Sequence, residues 1–191
     1  MLDHLRLDAG AVAPRLAPVP LGPLIARVGE MNEPAARLAG VDLRVTPNRH
    51  VALADPDLLE RIVGNLVANA LRHTPSRAGV TVRVGRLTGP PAAAPRVRSG
   101  PAVVAPGVPL AVLEVSDDGP GVPAAHAARV FERLYRADSS RTRGNGGGSG
   151  LGLSIVAAIV HGHGGWVELD SPPGGGATFR VILPLIAGPG H

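Results

Sequence analysis

With 191 residues, 45% of them hydrophobic, and a formal net charge of +4, the chain can build one domain with a real core and is no disordered tail. It holds no apolar run of bilayer-spanning length, no secretory-signal pattern and no cysteine, which leaves no route to disulfides or thiolate metal sites and fits a reducing compartment. All 19 basic residues are arginines, which excludes chemistry that needs a phosphate-binding lysine, and 2% aromatic content leaves too few rings for a single-stranded nucleic-acid platform.

Met1 to Leu7 reads as the stub of a helix, and Asp8 to Pro20 as a linker. From Leu21 onward, apolar residues at 21, 24, 25, 28, 31, 35 and 38 have helical spacing. Pro34 threatens the later half of that helix. Val41 to Val45 alternates like a strand, and His50 to Leu53 is a second short strand. Asp55-Pro56 opens the clearest helix, because Asp is a good N-cap and Pro is favoured at the first helical position. Its apolar face is Ile62, Val63, Leu66, Val67, Ala70 and Leu71, and Pro75 stops it. Val80 to Val84 reads as a strand. Gly85 to Pro109, rich in Gly, Pro and Ala, reads as a long exposed loop. Leu110 to Val115 is a strand ending in an acidic, glycine-rich turn, and a short helix follows over Ala124 to Val130. The polar, arginine-rich and then glycine-rich Asp138 to Gly148 predicts a mobile lid. A helix starts at Ser149 or Gly150 and runs to Val160. Trp166 to Asp170 and Thr178 to Leu183 form a final hairpin around Pro172 to Gly176.

Four groups of residues have the chemistry of a site. Asn65, Asn69 and His73 recur every four residues, so they share one stripe opposite the apolar face, with Arg72 bordering it. Such a stripe is either a solvated polar face or a set of amide oxygens suited to a hard cation such as Mg²⁺, with Arg72 as a fixed phosphate partner. Asp117-Asp118-Gly119-Pro120-Gly121 follows a strand directly. It is either an ordinary acidic turn or a carboxylate placed to accept from an exocyclic amine, with glycines that let a flat ring approach the backbone. Gly146 to Leu153 runs into a helix and is either a flexible linker or a phosphate cradle at a helix N-terminus. Between them lie Phe131-Glu132-Arg133-Leu134-Tyr135-Arg136 and further arginines, either a solvated basic loop or a means of neutralising a triphosphate.

In order and spacing these groups read Asn-x-x-x-Asn-Ala-x-x-His-Thr-Pro, Asp-x-Gly-x-Gly, Phe-Glu-Arg-x-Tyr-Arg and Gly-x-Gly-Leu-Gly-Leu. Together they resemble the ATP-binding catalytic domain of sensor histidine kinases over Leu21 to Pro184. The resemblance extends to His163-Gly164-Gly165 and to Thr178-x-x-Val181. It implies the Bergerat fold, an α+β two-layer α/β sandwich with a mixed β-sheet, about three helices on one face and a mobile ATP lid. It also implies ATP and Mg²⁺ as ligands. Asn69 would hold the metal with Asn65 beside it, Arg72 would meet phosphate, and His73 would line the pocket. Asp117 would take the adenine amine, with Gly119, Gly121 and Val122 shaping the turn. Arg136 and Gly148, Ser149, Gly150, Leu151, Gly152 and Leu153 would hold the phosphates, and Thr178 would support the adenine end. Phe131 reads as structural, and His161 and His163 as packing or turn residues.

The same resemblance assigns 1–20 to the remnant of a dimerisation helix and linker, 21–187 to the catalytic domain and 188–191 to a tail. The family's acceptor histidine lies on a preceding dimerisation helix, and His4 lacks the acid and proline that follow it. The expected reaction is therefore transfer of the ATP γ-phosphate to a histidine absent from this chain, with catalytic residues otherwise unassigned. Related ATPases place a general-base Glu where Asn65 stands, and Glu60 lies on another side of the helix, so efficient hydrolysis is not expected. Expected partners are the dimerisation domain and a response-regulator receiver domain, with no nucleic acid and no direct membrane contact. The expected location is the cytoplasm, with the parent kinase anchored in the cell membrane. Two other readings stay open: an anti-sigma-factor type of serine kinase, and a non-catalytic ATP-sensing interaction module.

Overall fold

The computed structural model describes residues 14–87, 97–100, 108–132 and 151–185. It has a six-stranded mixed sheet with helices on one face and a separate two-stranded sheet. In chain order these are β1 (Ala17–Pro20), α1 (Leu21–Ala39), β2 (Asp42–Thr46), β3 (Val51–Ala54), α2 (Pro56–His73) and β4 (Gly79–Leu87). Then come β5 (Val97–Ser99), β6 (Leu110–Asp117), α3 (Ala124–Ala127), α4 (Gly152–Gly162), β7 (Trp166–Asp170) and β8 (Ala177–Pro184). The large sheet has the order β2-β4-β6-β8-β7-β5. β2 and β4 are parallel, and every other neighbouring pair is antiparallel.

Alternation along the strands sorts the residues into two faces. Val80, Val82, Leu113, Val115, Phe179 and Val181 point inward and join Leu24, Ile25 and Val28 of α1, Ile62, Leu66 and Val67 of α2 and Val156 and Val160 of α4 in one core. The opposite face carries paired charges. Glu114 is buried and accepts from Arg83 Nε at 2.6 Å and Arg180 Nε at 2.8 Å. Glu168 accepts from Arg98 Nη2 at 2.7 Å and Trp166 Nε1 at 2.6 Å, and the Arg98 guanidinium lies over the Trp166 ring.

Three local expectations change. Residues 17–20 are not linker: they pair antiparallel with β3, Val19 is buried, and the Arg15 amide donates to Asp55. The segment 85–109 is not wholly loop, because β4 runs on to Leu87 and β5 adds an edge strand to β7. What stabilises β5 is the Arg98–Glu168 pair, whose partners are too far apart in sequence for local composition to reveal. α1 also passes through Pro34 unbroken. Pro34 is exposed, so the Glu30 carbonyl it leaves without an intrahelical donor can turn to water. Met1 to Leu7 and Asp138 to Gly148 lie outside the described residues.

The N-terminus of α2 is tied down by several hydrogen bonds. Asp55 Oδ1 accepts from the Asp57 and Leu58 amides, and Oδ2 accepts from the Arg15 amide at 2.9 Å. Burial alone would raise the pKa of this carboxyl. The amides of Arg15, Leu58 and Asp57 outweigh burial and hold it below the ordinary value. A depressed carboxylate adds stability above its unfolded pKa of about 3.9, and that contribution is lost as pH falls through the folded value. Replacing Asp55 with Ala is expected to cost about 1–2 kcal/mol at pH 7 by urea denaturation. The gap between the two proteins should narrow once the pH drops below about 4.

Candidate functional site

The topology gathers the chemistry at one end of the sheet. Because β2 and β4 are parallel, the chain must cross over between them, and it does so through α2. The C-terminus of α2 therefore lies beside the start of β4. β4 is antiparallel to β6, so Val80 faces Asp117 at the end of β6, and Asp117 in turn faces Ala177 at the start of β8. β7 starts at the opposite end, immediately after α4, so the N-terminus of α4 points back toward Asp117. The last turns of α2, the Asp117 turn and the entry to α4 thus meet at one edge, although in sequence they span residues 65 to 153.

On α2, Asn65 and Asn69 are half-buried at the flank of the apolar face, while Arg72 and His73 are exposed. Glu60 is turned elsewhere and accepts from Arg27 of α1 at 2.6 Å. The α2 C-terminus is held by Thr74, whose hydroxyl and amide both donate to the Ala70 carbonyl.

Asp117 is 9% exposed. Its Oδ1 accepts from the Gly119 amide at 2.9 Å and from the Ala177 amide at 3.4 Å. Burial raises its pKa, against the lowering effect of those two amides and of nearby His73, while Asp118 pushes in the same direction as burial. The neighbouring Asp118 turns to the backbone instead, where its Oδ2 accepts from the Gly79 amide and ties the turn to the start of β4.

The turn after Asp117 lies tight against the β7–β8 turn. A Cβ on Gly176 would sit 1.6 Å from the Asp117 carbonyl oxygen, so only glycine permits that approach. Gly121 has φ +74°, a conformation that L side chains rarely adopt. Ser171, 1% exposed, clamps the two turns together: its Oγ accepts from the Val122 amide at 2.7 Å and donates to the Gly176 carbonyl at 2.9 Å. The motifs do not single out Ser171, Gly176 or Ala177. A small hydroxyl at the end of a strand, before Pro172-Pro173, is the one local hint of Ser171.

Leu151 precedes the first turn of α4, and its carbonyl accepts from the Ser154 hydroxyl at 3.0 Å. Leu151, Gly152 and Leu153 are half-buried, and α4 begins at Gly152 rather than at Ser149 or Gly150. Phe131 packs edge-on against Phe179 with ring centroids 6.3 Å apart, beneath this end of the sheet. Thr178 is placed differently from its expected role. Successive strand residues face opposite ways, so Ala177 lies on the Asp117 side and the Thr178 hydroxyl meets Ser116 Oγ at 3.0 Å on the other face. Arg136, Gly148, Ser149 and Gly150 lie outside the described residues.

A carboxyl whose folded pKa is raised contributes stability below its unfolded pKa and loses it as pH rises through the folded value. Ionised Asp117 therefore opposes folding at neutral pH. Asp117→Asn keeps an oxygen for the Gly119 amide and removes the charge. It should melt no lower than the wild type at pH 7 by calorimetry, with any advantage disappearing below about pH 4.

Comparison with known proteins meets this geometry. The family model described as histidine kinase-, DNA gyrase B-, and HSP90-like ATPase matches residues 54–187. Sensor protein DivL of Caulobacter vibrioides is 36% identical over 192 aligned positions, which cover 100% of this chain and 22% of that protein. Probable sensor histidine kinase TcrY of Mycobacterium tuberculosis is 37% identical over 185 positions, covering 94% of this chain and 33% of that protein. The chain thus spans well under half the length of either relative. Among solved structures, full-length ShkA in complex with AMPPNP superposes with a TM-score of 0.73 at 29% identity, covering 96% of this chain and 34% of that one. The nucleotide-free catalytic domain of ThkA gives 0.66 at 20% identity, covering 89% of this chain and 95% of that one, a likeness of fold. The chain belongs to the histidine kinase-, DNA gyrase B-, and HSP90-like ATPase family, as an ATP-binding catalytic domain of the sensor-histidine-kinase kind.

Proposed function

We propose that this chain binds Mg-ATP at the sheet end occupied by Asp117 and presents the γ-phosphate to a histidine on a separate dimerisation domain. The observation that carries this reading is a buried carboxylate, its turn closed by Gly119 and Gly176, at the same edge as the polar stripe of α2. Asp117 accepts from the adenine amine, and the glycine-lined turn lets the ring lie close to the backbone. Its burial in a low-dielectric pocket strengthens that hydrogen bond. His73 and Val122 line the pocket beside it.

The metal-binding side chains are Asn69 and Asn65. Half-buried amide oxygens fit Mg²⁺, which takes oxygen ligands and keeps several waters, and when bound it neutralises phosphate charge. Arg72 offers a fixed cation to the phosphates, and Leu151 to Leu153 offer amides at the entry to α4, while Arg136 and Gly148 to Gly150 are assigned to the phosphates by their motifs alone. No carboxylate stands at Asn65 to activate water, so the site favours transfer over hydrolysis. Phosphoryl transfer needs positioning and charge stabilisation more than covalent chemistry, so the acceptor can arrive on another domain. The expected setting is the cytoplasm, with a receiver domain taking the phosphate from the acceptor histidine.

The test is transfer in trans. The chain is mixed with Mg²⁺, γ-labelled ATP and a histidine-bearing helical dimerisation domain, and acid-labile label on the second protein is followed. Label is expected there, with little on the chain alone and none stably on His4. Asn69→Ala should reduce transfer by about 100-fold or more while melting within a few degrees of the wild type. Asp117→Asn should weaken nucleotide binding about tenfold or more, the size of a lost hydrogen bond to a charged group. Label on a serine-bearing antagonist protein instead would show the serine-kinase alternative, and tight binding with no transfer to either acceptor would show a sensing module.

A further inference from the structure

His163 stands at the far end of the helix pair from the site and is bonded to both helices. It is 5% exposed. Its Nδ1 lies 2.8 Å from the Ile159 carbonyl oxygen of α4, and its Nε2 accepts from the Asp55 amide at 2.9 Å. An amide can only donate, so Nε2 must be the bare nitrogen and Nδ1 must carry the proton toward Ile159. One ring therefore joins the last turn of α4 to the N-cap of α2. Asp55 is itself held by amides on its carboxylate, so the α2 end of this link is firmly anchored.

The two helices run antiparallel, so a tie at this end sets how far each reaches at the other. From Asp55 to Asn69 is about 20 Å at 1.5 Å per residue, and from His163 to Gly152 about 17 Å. Between the ends the contact is apolar, and apolar contacts are non-directional. Close packing already resists sliding, and a hydrogen bond with one donor and one acceptor adds a directional constraint at the helix ends. The start of α4 carries Gly152 and Leu153, and the last turns of α2 carry Asn69 and Arg72.

We propose that His163 is a positioning residue for the nucleotide site: its bond to the Asp55 amide helps set the axial register of α4 against α2, and so the spacing between the Gly152 and Leu153 amides and Asn69. This rests on the nucleotide reading above. It distinguishes the Asp55 bond from the bond to Ile159, which lies within one helix and sets no register.

Two amide substitutions separate these bonds. Gln places its oxygen as many bonds from Cβ as Nε2 and can still accept from Asp55. Asn reaches only as far as Nδ1 and can still donate to Ile159. Affinity for Mg²⁺ with a non-hydrolysable ATP analogue is measured by titration calorimetry on the full chain, beside Val28→Ala, a core change in α1 that lowers stability without touching either helix end. His163→Gln is expected to bind within about twofold of the wild type, and His163→Asn about fivefold or more weaker, the low end of ordinary coupling between sites. Val28→Ala should bind like the wild type. Without nucleotide, amide exchange over Ile155 to Val160 should speed up in His163→Asn and not in His163→Gln. Equal affinity in the Asn and Gln variants, or equal loss in Val28→Ala, would overturn the positioning role. Failure of the wild type to bind while the exchange difference persists would overturn the nucleotide reading and leave the register link standing.

Discussion

The parallel pairing of β2 with β4 is the constraint on which the site depends. Two parallel strands cannot be joined by a tight turn, so the chain must travel the length of the sheet between them. It does so as α2, whose apolar face is spent on the core and whose C-terminus must arrive at the start of β4. Antiparallel pairing of β4 with β6 then brings Asp117 to the same edge, and β8 brings Ala177 and Gly176 against it. The stripe carrying Asn65 and Asn69 and the buried carboxylate become neighbours as a consequence of strand order.

The cost of that arrangement falls on Asp117. A carboxylate buried beside a sheet end is unfavourable, and the fold offsets this with the Gly119 and Ala177 amides and with nearby His73. If Asp117 is the adenine-binding group proposed above, structure and function pull in opposite directions at this position. The surrounding turn is made rigid by other means: Ser171 bridges the Val122 amide and the Gly176 carbonyl, and Asp118 holds Gly79. The charges of the outer face are treated differently. Glu114 is answered by Arg83 and Arg180, and Glu168 by Arg98, each on a neighbouring strand, so these pairs tie the sheet together.

Much of the molecule is written locally. Asp55-Pro56 marks the start of α2 because capping and the fixed proline φ act within a few residues. The stripe of Asn65, Asn69 and His73 follows from helical period alone, and the alternation of β6 and β8 follows from strand period. The order of the motifs resembles that of one family, and the family match over residues 54–187 agrees with it.

What depends on partners distant in sequence was not legible in this way. β1 and β5 exist because of strands and charges elsewhere, namely β3 for the first and Glu168 with Trp166 for the second. The side of the sheet to which Thr178 turns is set by its register against Ser116, and a one-residue shift would have reversed it. Ser171 and His163 look like ordinary turn residues until the turn and the helix end they bond are placed beside them. The sequence by itself determined the helices, most strands and the chemistry available, because propensity, capping and period are local. Only the tertiary structure decided which of those groups share an edge, which face each presents and what ties α4 to α2, because register and long-range hydrogen bonds arise when distant segments pack.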